Sequence, residues 1–289
     1  MVLIPVVLLL MLRAPVAVLA FVAGIVALLA IRELLQLSQA YNIRPFRAAT
    51  LIYCAVFFVL IAVFAGTTDA MATAGFAYFA VAAAALAPFL FLALGMKSSE
   101  LATGFPAAMV STFSFVYIAL PMASLVQLRE QWRGGFFLLY LLLLVWAGDI
   151  FAYFIGKPFG KHRMSPRVSP NKTWEGALAS VVASVGVGIL MFHYAVPIST
   201  ALLRTHLIEQ KDGIFNEPSS LVPVIVLSVV LNIAAQFGDL VESLIKRGAG
   251  MKDSGAILPG HGGMFDRIDA LLFAAPVLWC YMAWRVMMQ

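Results

Sequence analysis

The stretch GGFFLLYLLLLVWAGDIFAYFIG (134–156) carries one charged residue, Asp149, among its 23 positions. At 1.5 Å per residue, a helix of this length extends about 34 Å, enough to cross the roughly 30 Å hydrocarbon core of a bilayer. Similar apolar runs recur along the 289-residue chain, which is 63% hydrophobic, 11% charged and has a mean hydropathy of +0.97. This composition lies far from that of soluble domains, so the sequence predicts a protein whose solvent is lipid.

The apolar runs predict helices that cross the membrane eight times, near residues 14–37, 48–65, 70–95, 105–126, 134–156, 176–198, 219–245 and 268–288. A further run, residues 2–12, would extend only about 16 Å, so it is either a half-span or part of a segment that begins upstream. It lacks the basic start of a signal peptide. We therefore expect an all-α, polytopic membrane bundle of eight to nine helices, with one catalytic domain over residues 1–289.

Composition also limits the partners. Cys54 and Cys280 lie inside apolar runs, which predicts packing and not a disulfide or a metal site. The formal net charge is +5. In a membrane protein, Lys and Arg usually set topology and contact anionic lipid, so membrane lipids are expected partners and nucleic acid is not.

Charge placement predicts the orientation. When the spans alternate, 13 of the 19 Lys and Arg residues fall on one side, which we therefore expect to be cytoplasmic. Two long loops, 157–175 and 246–267, then share that side. Residues 146–289 hold 22 of the 33 formal charges. We expect residues 131–289 to carry the chemistry, and residues 1–130 to act mainly as a scaffold.

Polar residues inside two spans are candidates for function. A carboxylate within the membrane is costly, so Asp149 is a functional candidate, although pairing with a basic group or with Tyr153 would also explain it. We interpret Glu242 as a solvated neighbour at the interface. Along the same span, residues spaced three or four apart share one helix face: Asn232, Gln236, Asp239, Ser243 and Lys246. This stripe either lines a wet cavity or forms a hydrogen-bonded seam between helices.

The first basic loop, GKPFGKHRMSPRVSPNKTWEG (156–176), carries five Lys or Arg residues and His162. Taken alone, it is typical of a cytoplasmic loop that rests on anionic headgroups. Its end predicts a helix start with Asn171 or Thr173 as the cap and Glu175 near the positive end of the helix dipole. Glu175 therefore needs no catalytic role.

The second loop, SLIKRGAGMKDSGAILPGHGGMFDRID (243–269), combines cations, glycines and carboxylates. Glycines allow backbone N–H groups to approach phosphate oxygens, and Lys and Arg neutralise phosphate charge. Asp266 and Asp269 should share a helix face, where carboxylates hold a hard cation such as Mg²⁺. His261 alone is more typical of a local hydrogen bond than of a base. The combination predicts a phosphate and metal site.

Here the sequence resembles a known family. The pattern Ser243, Lys246-Arg247, Lys252-Asp253, Pro259, His261-Gly262-Gly263 and Asp266-Arg267-x-Asp269 is similar to the signature of the phosphatidate cytidylyltransferases. Residues 146–176 resemble the family's second characteristic region, so the resemblance covers about residues 130–289. The short N-terminal run departs from the family's pattern.

The resemblance implies an activity. It implies an enzyme of phospholipid biosynthesis that transfers CMP from CTP to phosphatidic acid, giving CDP-diacylglycerol and pyrophosphate. The enzyme would use Mg²⁺, alone or with a second cation. It would be a homodimer in a bacterial-type inner membrane, with its active site facing the cytoplasm.

The resemblance also implies roles for residues. Asp239 and Asp266 would hold the metal, since both fall on acidic positions of the family motifs, and Asp269 is a further metal candidate. In the sequence, neither Asp239 nor Asp266 has an obvious local partner. Catalytic roles are expected for Asp239, Asp266, Ser243, Lys246 and Arg247. Contacts to the phosphates of CTP or phosphatidate are expected from Asp149, Asn171, Lys172, Lys252, Asp253, His261, Gly262, Gly263 and Arg267.

Two alternatives stay open. Another CTP-dependent lipid enzyme, such as a polyprenol kinase or an archaeal-lipid cytidylyltransferase, would share the phosphate chemistry but use a different acceptor. A cation-coupled transporter would also place carboxylates inside the membrane, but the internal repeats typical of many transporters are not evident in the sequence.

Overall fold

Helices make up most of the chain in a computed structural model, which describes residues 3–64, 70–98, 100–216, 220–255 and 262–287. The first helices are α1 (Leu3–Arg13), α2 (Val16–Leu37), α3 (Arg47–Phe64), α4 (Ala70–Gly95), α5 (Leu101–Ser114), α6 (Leu120–Glu130) and α7 (Gly134–Phe159). A hairpin of β1 (Arg163–Ser165) and β2 (Ser169–Thr173) follows. The remaining helices are α8 (Trp174–His193), α9 (Ala195–Arg204), α10 (Val222–Gly248) and α11 (Phe265–Met287).

Within the described ranges, eight helical stretches are long and apolar enough to cross a membrane, which confirms the expected multi-pass bundle. A π-helical turn, Phe115–Ala119, joins α5 and α6 into one of these stretches. The doubtful first run forms only α1, whose 11 residues are too few for a full crossing. It stops before Pro15, because proline cannot continue the hydrogen-bond ladder of a helix.

The most extensive helix packing joins α7 with α8 and α10 with α11, and the buried core extends from these pairs to α2, α3 and α6. Large side chains fill it, among them Phe136, Phe137 and Tyr140, each at most 1% exposed. Other large apolar side chains face outwards, such as Phe154 and Leu178. Outward apolar surface is expected of a bundle whose surroundings are hydrocarbon.

One half of the polar stripe is a seam between helices. The side-chain nitrogen of Asn232 on α10 lies 2.8 Å from the hydroxyls of both Ser180 and Ser184 on α8. Gln236 donates to the Asn232 carbonyl at 2.5 Å, and Ser184 donates to the backbone of Leu144 on α7 at 3.0 Å. Asn232 and both serines are buried. Here the hydrogen-bonded seam, and not the wet cavity, is the correct interpretation of the stripe.

The hairpin and the start of α8 bring the first basic loop to the site. β1 and β2 pair antiparallel, with Arg163 opposite Thr173. The Thr173 hydroxyl accepts a hydrogen bond from the Gly176 N–H at 3.2 Å, which confirms this residue as a cap. Asn171, the other candidate cap, lies within β2. The Glu175 carboxylate contacts the Nδ1 atom of the His162 ring at 2.7 Å.

The predicted span 176–198 runs too far. α8 ends at His193, and a separate ten-residue helix, α9, follows. Pro197 lies in the first turn of α9, where its missing N–H removes no hydrogen bond. Apolar residues continue across the junction, so hydropathy alone could not locate the break.

Candidate functional site

Three carboxylates converge where the last turns of α10 meet the first turns of α11. Asp239, Glu242 and Asp269 each place one oxygen within 4.8 Å of the others. Glu242 is 1% exposed, and its Oε1 atom is buried without a hydrogen-bond partner among the described residues. Carboxylates this close repel one another unless a cation or a proton intervenes. We call these three residues the acidic cluster.

Glu242 was misjudged from sequence. Its interpretation as a solvated neighbour is wrong, because the packing of α10 against α11 buries it. The sequence places Glu242 three residues after Asp239, hence on a neighbouring part of the α10 surface. Which face of α10 meets α11 depends on tertiary packing, which the spacing alone does not specify.

Two lysines flank the acidic cluster. Lys172, at the end of β2, places its Nζ atom 2.6 Å from Oδ2 of Asp239. Lys246, one turn beyond Glu242 on α10, lies 2.7 Å from Oε2 of that residue and 2.6 Å from Oδ1 of Asp266. Ammonium groups in these positions lower the repulsion among the carboxylates. They also present positive charge to any phosphate that enters.

Asp149 joins this arrangement from α7. Its carboxylate interacts electrostatically with Asp239 and Lys172, and Asp269 interacts with all three of these groups. The Tyr153 hydroxyl, which the sequence offered as a possible partner of Asp149, accepts a hydrogen bond from Lys157 at 2.9 Å. Three helices and the hairpin therefore bring Asp149, Lys172, Asp239 and Asp269 to one place, and the roles predicted for these residues stay predictions.

Asp266 faces the loop that precedes α11. It accepts hydrogen bonds from the Gly263 N–H at 2.7 Å and from both the N–H and the hydroxyl of Ser254 at 3.0 Å, in addition to its contact with Lys246. Gly262 has a φ of +78°, a left-handed conformation that favours glycine. The expectation that Asp239 and Asp266 lack local partners is thus wrong, since Lys172 and Lys246 contact them. Asp266 lies outside the acidic cluster, and its role as a metal ligand stays a prediction.

Glu33 on α2 contacts the segments that border the acidic cluster, and it was not singled out from the sequence. Its carboxylate is 1% exposed and accepts hydrogen bonds from the N–H groups of Met264 and Phe265, both at 2.9 Å, and from the Ser254 hydroxyl at 2.8 Å. The signal was present, because Glu33 is a lone carboxylate inside a predicted span, as Asp149 is. The assignment of residues 1–130 to a scaffold hid it.

The other predicted residues surround the acidic cluster more loosely. The Ser243 hydroxyl lies 3.5 Å from Oδ1 of Asp239. His261 and Pro259 lie outside the described residues. Five predicted phosphate contacts or catalytic residues are exposed at the same end of the bundle: Asn171, Arg247, Lys252, Asp253 and Arg267. Their roles stay predictions.

A multi-pass helical membrane protein with clustered carboxylates and flanking lysines at one end of its bundle has the groups required for phosphate chemistry at a lipid boundary. The chain belongs to the cytidylyltransferase family, whose sequence pattern matches residues 1–284. The family resemblance of the two loops is therefore confirmed.

Curated relatives of the chain carry the name phosphatidate cytidylyltransferase, and three of them illustrate the similarity. The chain is 35% identical to the protein of Haemophilus influenzae over 170 residues, 38% to that of Brucella abortus over 179 and 32% to that of Bacillus subtilis over 173. These matches cover 57%, 62% and 60% of this chain, and 54%, 57% and 57% of the respective relatives. The matched region thus spans just over half the length of each relative.

Proposed function

We propose that the chain transfers CMP from CTP to phosphatidate, giving CDP-diacylglycerol and pyrophosphate, in phospholipid biosynthesis. The observation that carries this proposal is the acidic cluster between Lys172 and Lys246 in a membrane protein of the cytidylyltransferase family. The names of the relatives support phosphatidate as the acceptor.

The chemistry needs little acid or base assistance. The phosphate of phosphatidate is mostly ionised at neutral pH, so one of its oxygens can attack the α-phosphorus of CTP directly. A new P–O bond forms as the bond from the α-phosphorus to the bridging oxygen of the β-phosphate breaks, and pyrophosphate leaves with that electron pair. The protein's contribution is to align two anions and neutralise their charge. Lys172 and Lys246 are the groups we assign to this task, with Ser243, Arg247 and Lys252 nearby.

The acidic cluster fits Mg²⁺. Its ligands are hard carboxylate oxygens from two helices, and Oε1 of Glu242 has no hydrogen-bond partner among the described residues. We propose that Asp239, Glu242 and Asp269 hold the ion, which when bound would neutralise the phosphates and the departing pyrophosphate. Asp266 would become a further ligand only if it gave up its present contacts with Lys246, Ser254 and Gly263. Asp149 offers a further carboxylate for a second cation.

The site lies at the ends of membrane-crossing helices, so a lipid could bring its headgroup to the acidic cluster while its tails stay in the bilayer. We propose that this end faces the cytoplasm, that the membrane is a bacterial inner membrane and that the enzyme is a homodimer. The bias of Lys and Arg supports the orientation. Residues 131–289 would carry the catalytic groups within one domain, with the earlier helices as their support.

The test uses purified protein in lipid nanodiscs with CTP labelled at the α-phosphate. We expect a labelled, lipid-extractable product with phosphatidate as acceptor, an equal amount of pyrophosphate, and no product after the addition of EDTA. Parallel reactions with a polyprenol and with an archaeal-type ether lipid test the alternative acceptors. Transfer from γ-labelled CTP to the polyprenol would instead establish a kinase. Cation transport without CTP turnover would establish a transporter.

A further inference from the structure

We propose that Glu33, on α2, is a positioning residue that sets the geometry of the acidic cluster. Its carboxylate accepts hydrogen bonds from the start of α11 and from Ser254 in the preceding loop. Through these contacts it positions Asp269 and Lys246. The effect on turnover rests on the proposed function. The effect on local structure does not.

The contacts come from opposite ends of the chain. Oε1 of Glu33 accepts the Met264 N–H, and Oε2 accepts the Phe265 N–H and the Ser254 hydroxyl. Both oxygens of a carboxylate that is 1% exposed are therefore engaged. A buried carboxylate that accepts several hydrogen bonds defines the position of its donors, because leaving it unsatisfied is costly.

Two of these donors belong to the beginning of α11. The first N–H groups of a helix have no partner within the helix, and the positive end of its dipole favours a nearby carboxylate. Glu33 supplies that carboxylate from another helix. Phe265 is fully buried, so α11 cannot slide along its axis without disturbing the core. Asp269 lies one turn after Phe265, and its place in the acidic cluster follows from this anchor.

The third donor, the Ser254 hydroxyl, connects Glu33 to Lys246 through Asp266. The Ser254 hydroxyl lies 2.8 Å from Oε2 of Glu33 and 3.0 Å from Oδ2 of Asp266, so its single proton is shared between two carboxylates. Asp266 in turn contacts Lys246 at 2.6 Å. A continuous set of hydrogen bonds thus runs from α2 to Lys246, which itself contacts Glu242 of the acidic cluster.

Two glycines near α11 leave the space that the Glu33 carboxylate fills. A Cβ atom at Gly263 would overlap Oε2 of Glu33 and the Ser254 hydroxyl. At Gly255, a Cβ atom would lie 2.6 Å from Oε1 of the same carboxylate. From the sequence, glycines of this loop were predicted to admit phosphate oxygens. In the structure, these two admit the carboxylate of Glu33.

The main test is Glu33→Gln, with Gln36→Ala on the exposed side of α2 as the matched control. Glutamine keeps the size but turns one acceptor into a donor that faces an N–H group. We expect kcat for CTP turnover to fall at least about tenfold with little change in the KM for CTP, because a displacement of about 1 Å in reacting groups has effects of this size. Hydrogen exchange of the 262–267 amides should accelerate at least about tenfold, while the melting temperature stays near that of the control.

Three outcomes would overturn the proposal. One is a kcat within about twofold of Gln36→Ala together with unchanged exchange at 262–267. Another is a loss of activity that only parallels a loss of melting temperature, which would make Glu33 a general stabiliser. The third is a loss of activity with no local change in exchange. If wild type and control both lack CTP turnover, the proposed function fails, and the exchange measurement still tests the anchor.

Two further variants keep the test decisive if Glu33→Gln does not fold. Ser254→Ala removes the shared hydroxyl, and we expect the same local acceleration of exchange with a smaller loss of kcat. Gly263→Ala should reproduce the Glu33→Gln phenotype by displacing the carboxylate. Where Glu33→Gln does fold, combining it with Gly263→Ala should add little to either single effect, since both break one contact. Full additivity, or normal exchange in Ser254→Ala, would contradict the proposal.

Discussion

The Nζ atom of Lys172 lies 2.6 Å from Oδ2 of Asp239, so the β-hairpin and α10 meet at the acidic cluster. The two side chains are 25% and 38% exposed. An ion pair with this much solvent access contributes at most about 1 kcal/mol to stability. Its importance is therefore chemical, because the ammonium occupies the edge of the acidic cluster where substrate phosphates would arrive.

Replacing Lys172 by Gln should impair catalysis but not folding. We expect CTP turnover to fall about tenfold or more, because a charge that neutralises phosphate is lost, while the melting temperature changes little. Lys161→Gln, which alters an exposed lysine before the same hairpin, is the matched control. Radiolabelled turnover and thermal unfolding measure both effects. Equal losses in the two variants would show that only the general surface charge of the loop matters.

Removing the charge of Asp239 or Asp269 should abolish Mg²⁺ binding and CMP transfer, because Asn keeps the shape but not the charge that holds the ion. Titration calorimetry with Mg²⁺ and turnover assays test this, with Glu100→Gln between α4 and α5 as a control. Asp266→Asn should also abolish turnover, by releasing Lys246 and Ser254. Retained Mg²⁺ affinity in Asp266→Asn would support the acidic cluster as the ligand set. Lost affinity would support Asp266 as a ligand.

The seam half of the polar stripe should matter for stability alone. We expect Asn232→Leu to lower the free energy of unfolding by about 1 kcal/mol, a usual value for a hydrogen-bonded contact between membrane helices. Turnover per folded molecule should stay near wild type. Ile233→Ala, which changes the lipid-facing neighbour, is the control. A large loss of turnover in folded Asn232→Leu protein would show that the wet cavity extends to this depth.

The other half of the stripe should matter for activity. Ser243→Leu places an apolar group beside Asp239 and should reduce turnover strongly with little effect on stability. Leu244→Ala removes an outward-facing side chain that is 56% exposed and should leave turnover largely intact. Turnover assays and thermal unfolding compare the two. Similar effects from both changes would contradict a functional surface on this face of α10.

The two loops should be accessible from the cytoplasmic side. In a Cys280→Ala background, we expect Arg167→Cys and Lys252→Cys to react with a membrane-impermeant maleimide only when that side faces the reagent. Gln210→Cys, which follows α9 at the opposite end of α8, should react only from the other side. Reaction of positions 167 and 252 from opposite faces would exclude a shared site.

The sequence predicted the membrane spans well because a long apolar helix has few alternatives to crossing the bilayer. It also singled out Asp149, Asp239 and Asp269, which the structure brings together, because charges in apolar surroundings are conspicuous; their roles stay predictions. The limits came from tertiary contacts. Nothing in the local pattern states that Glu242 turns towards α11, or that the Asn232 end of the stripe meets serines of α8.

The short elements show a different limit. The hairpin has three- and five-residue strands without alternating apolar positions, so its sequence resembles an irregular loop. The charge of Glu33 was visible in the sequence, but its hydrogen-bond partners lie more than 220 residues away and could not be predicted. Local periodicity cannot report a contact of that separation.

That separation has a consequence for how the protein is made. Glu33 leaves the ribosome 221 residues before Ser254 and 232 before Phe265, so its carboxylate enters the membrane with α2 long before its hydrogen-bond donors exist. Glu33 lies beside Arg32 in the last two turns of α2, so before α11 arrives its carboxylate can be solvated at the headgroup region. Arrival of α11 supplies the backbone N–H donors and completes the site. A nascent chain that stops short of α11 therefore retains a Glu33 carboxylate without these donors. Membrane quality control can recognise such a difference.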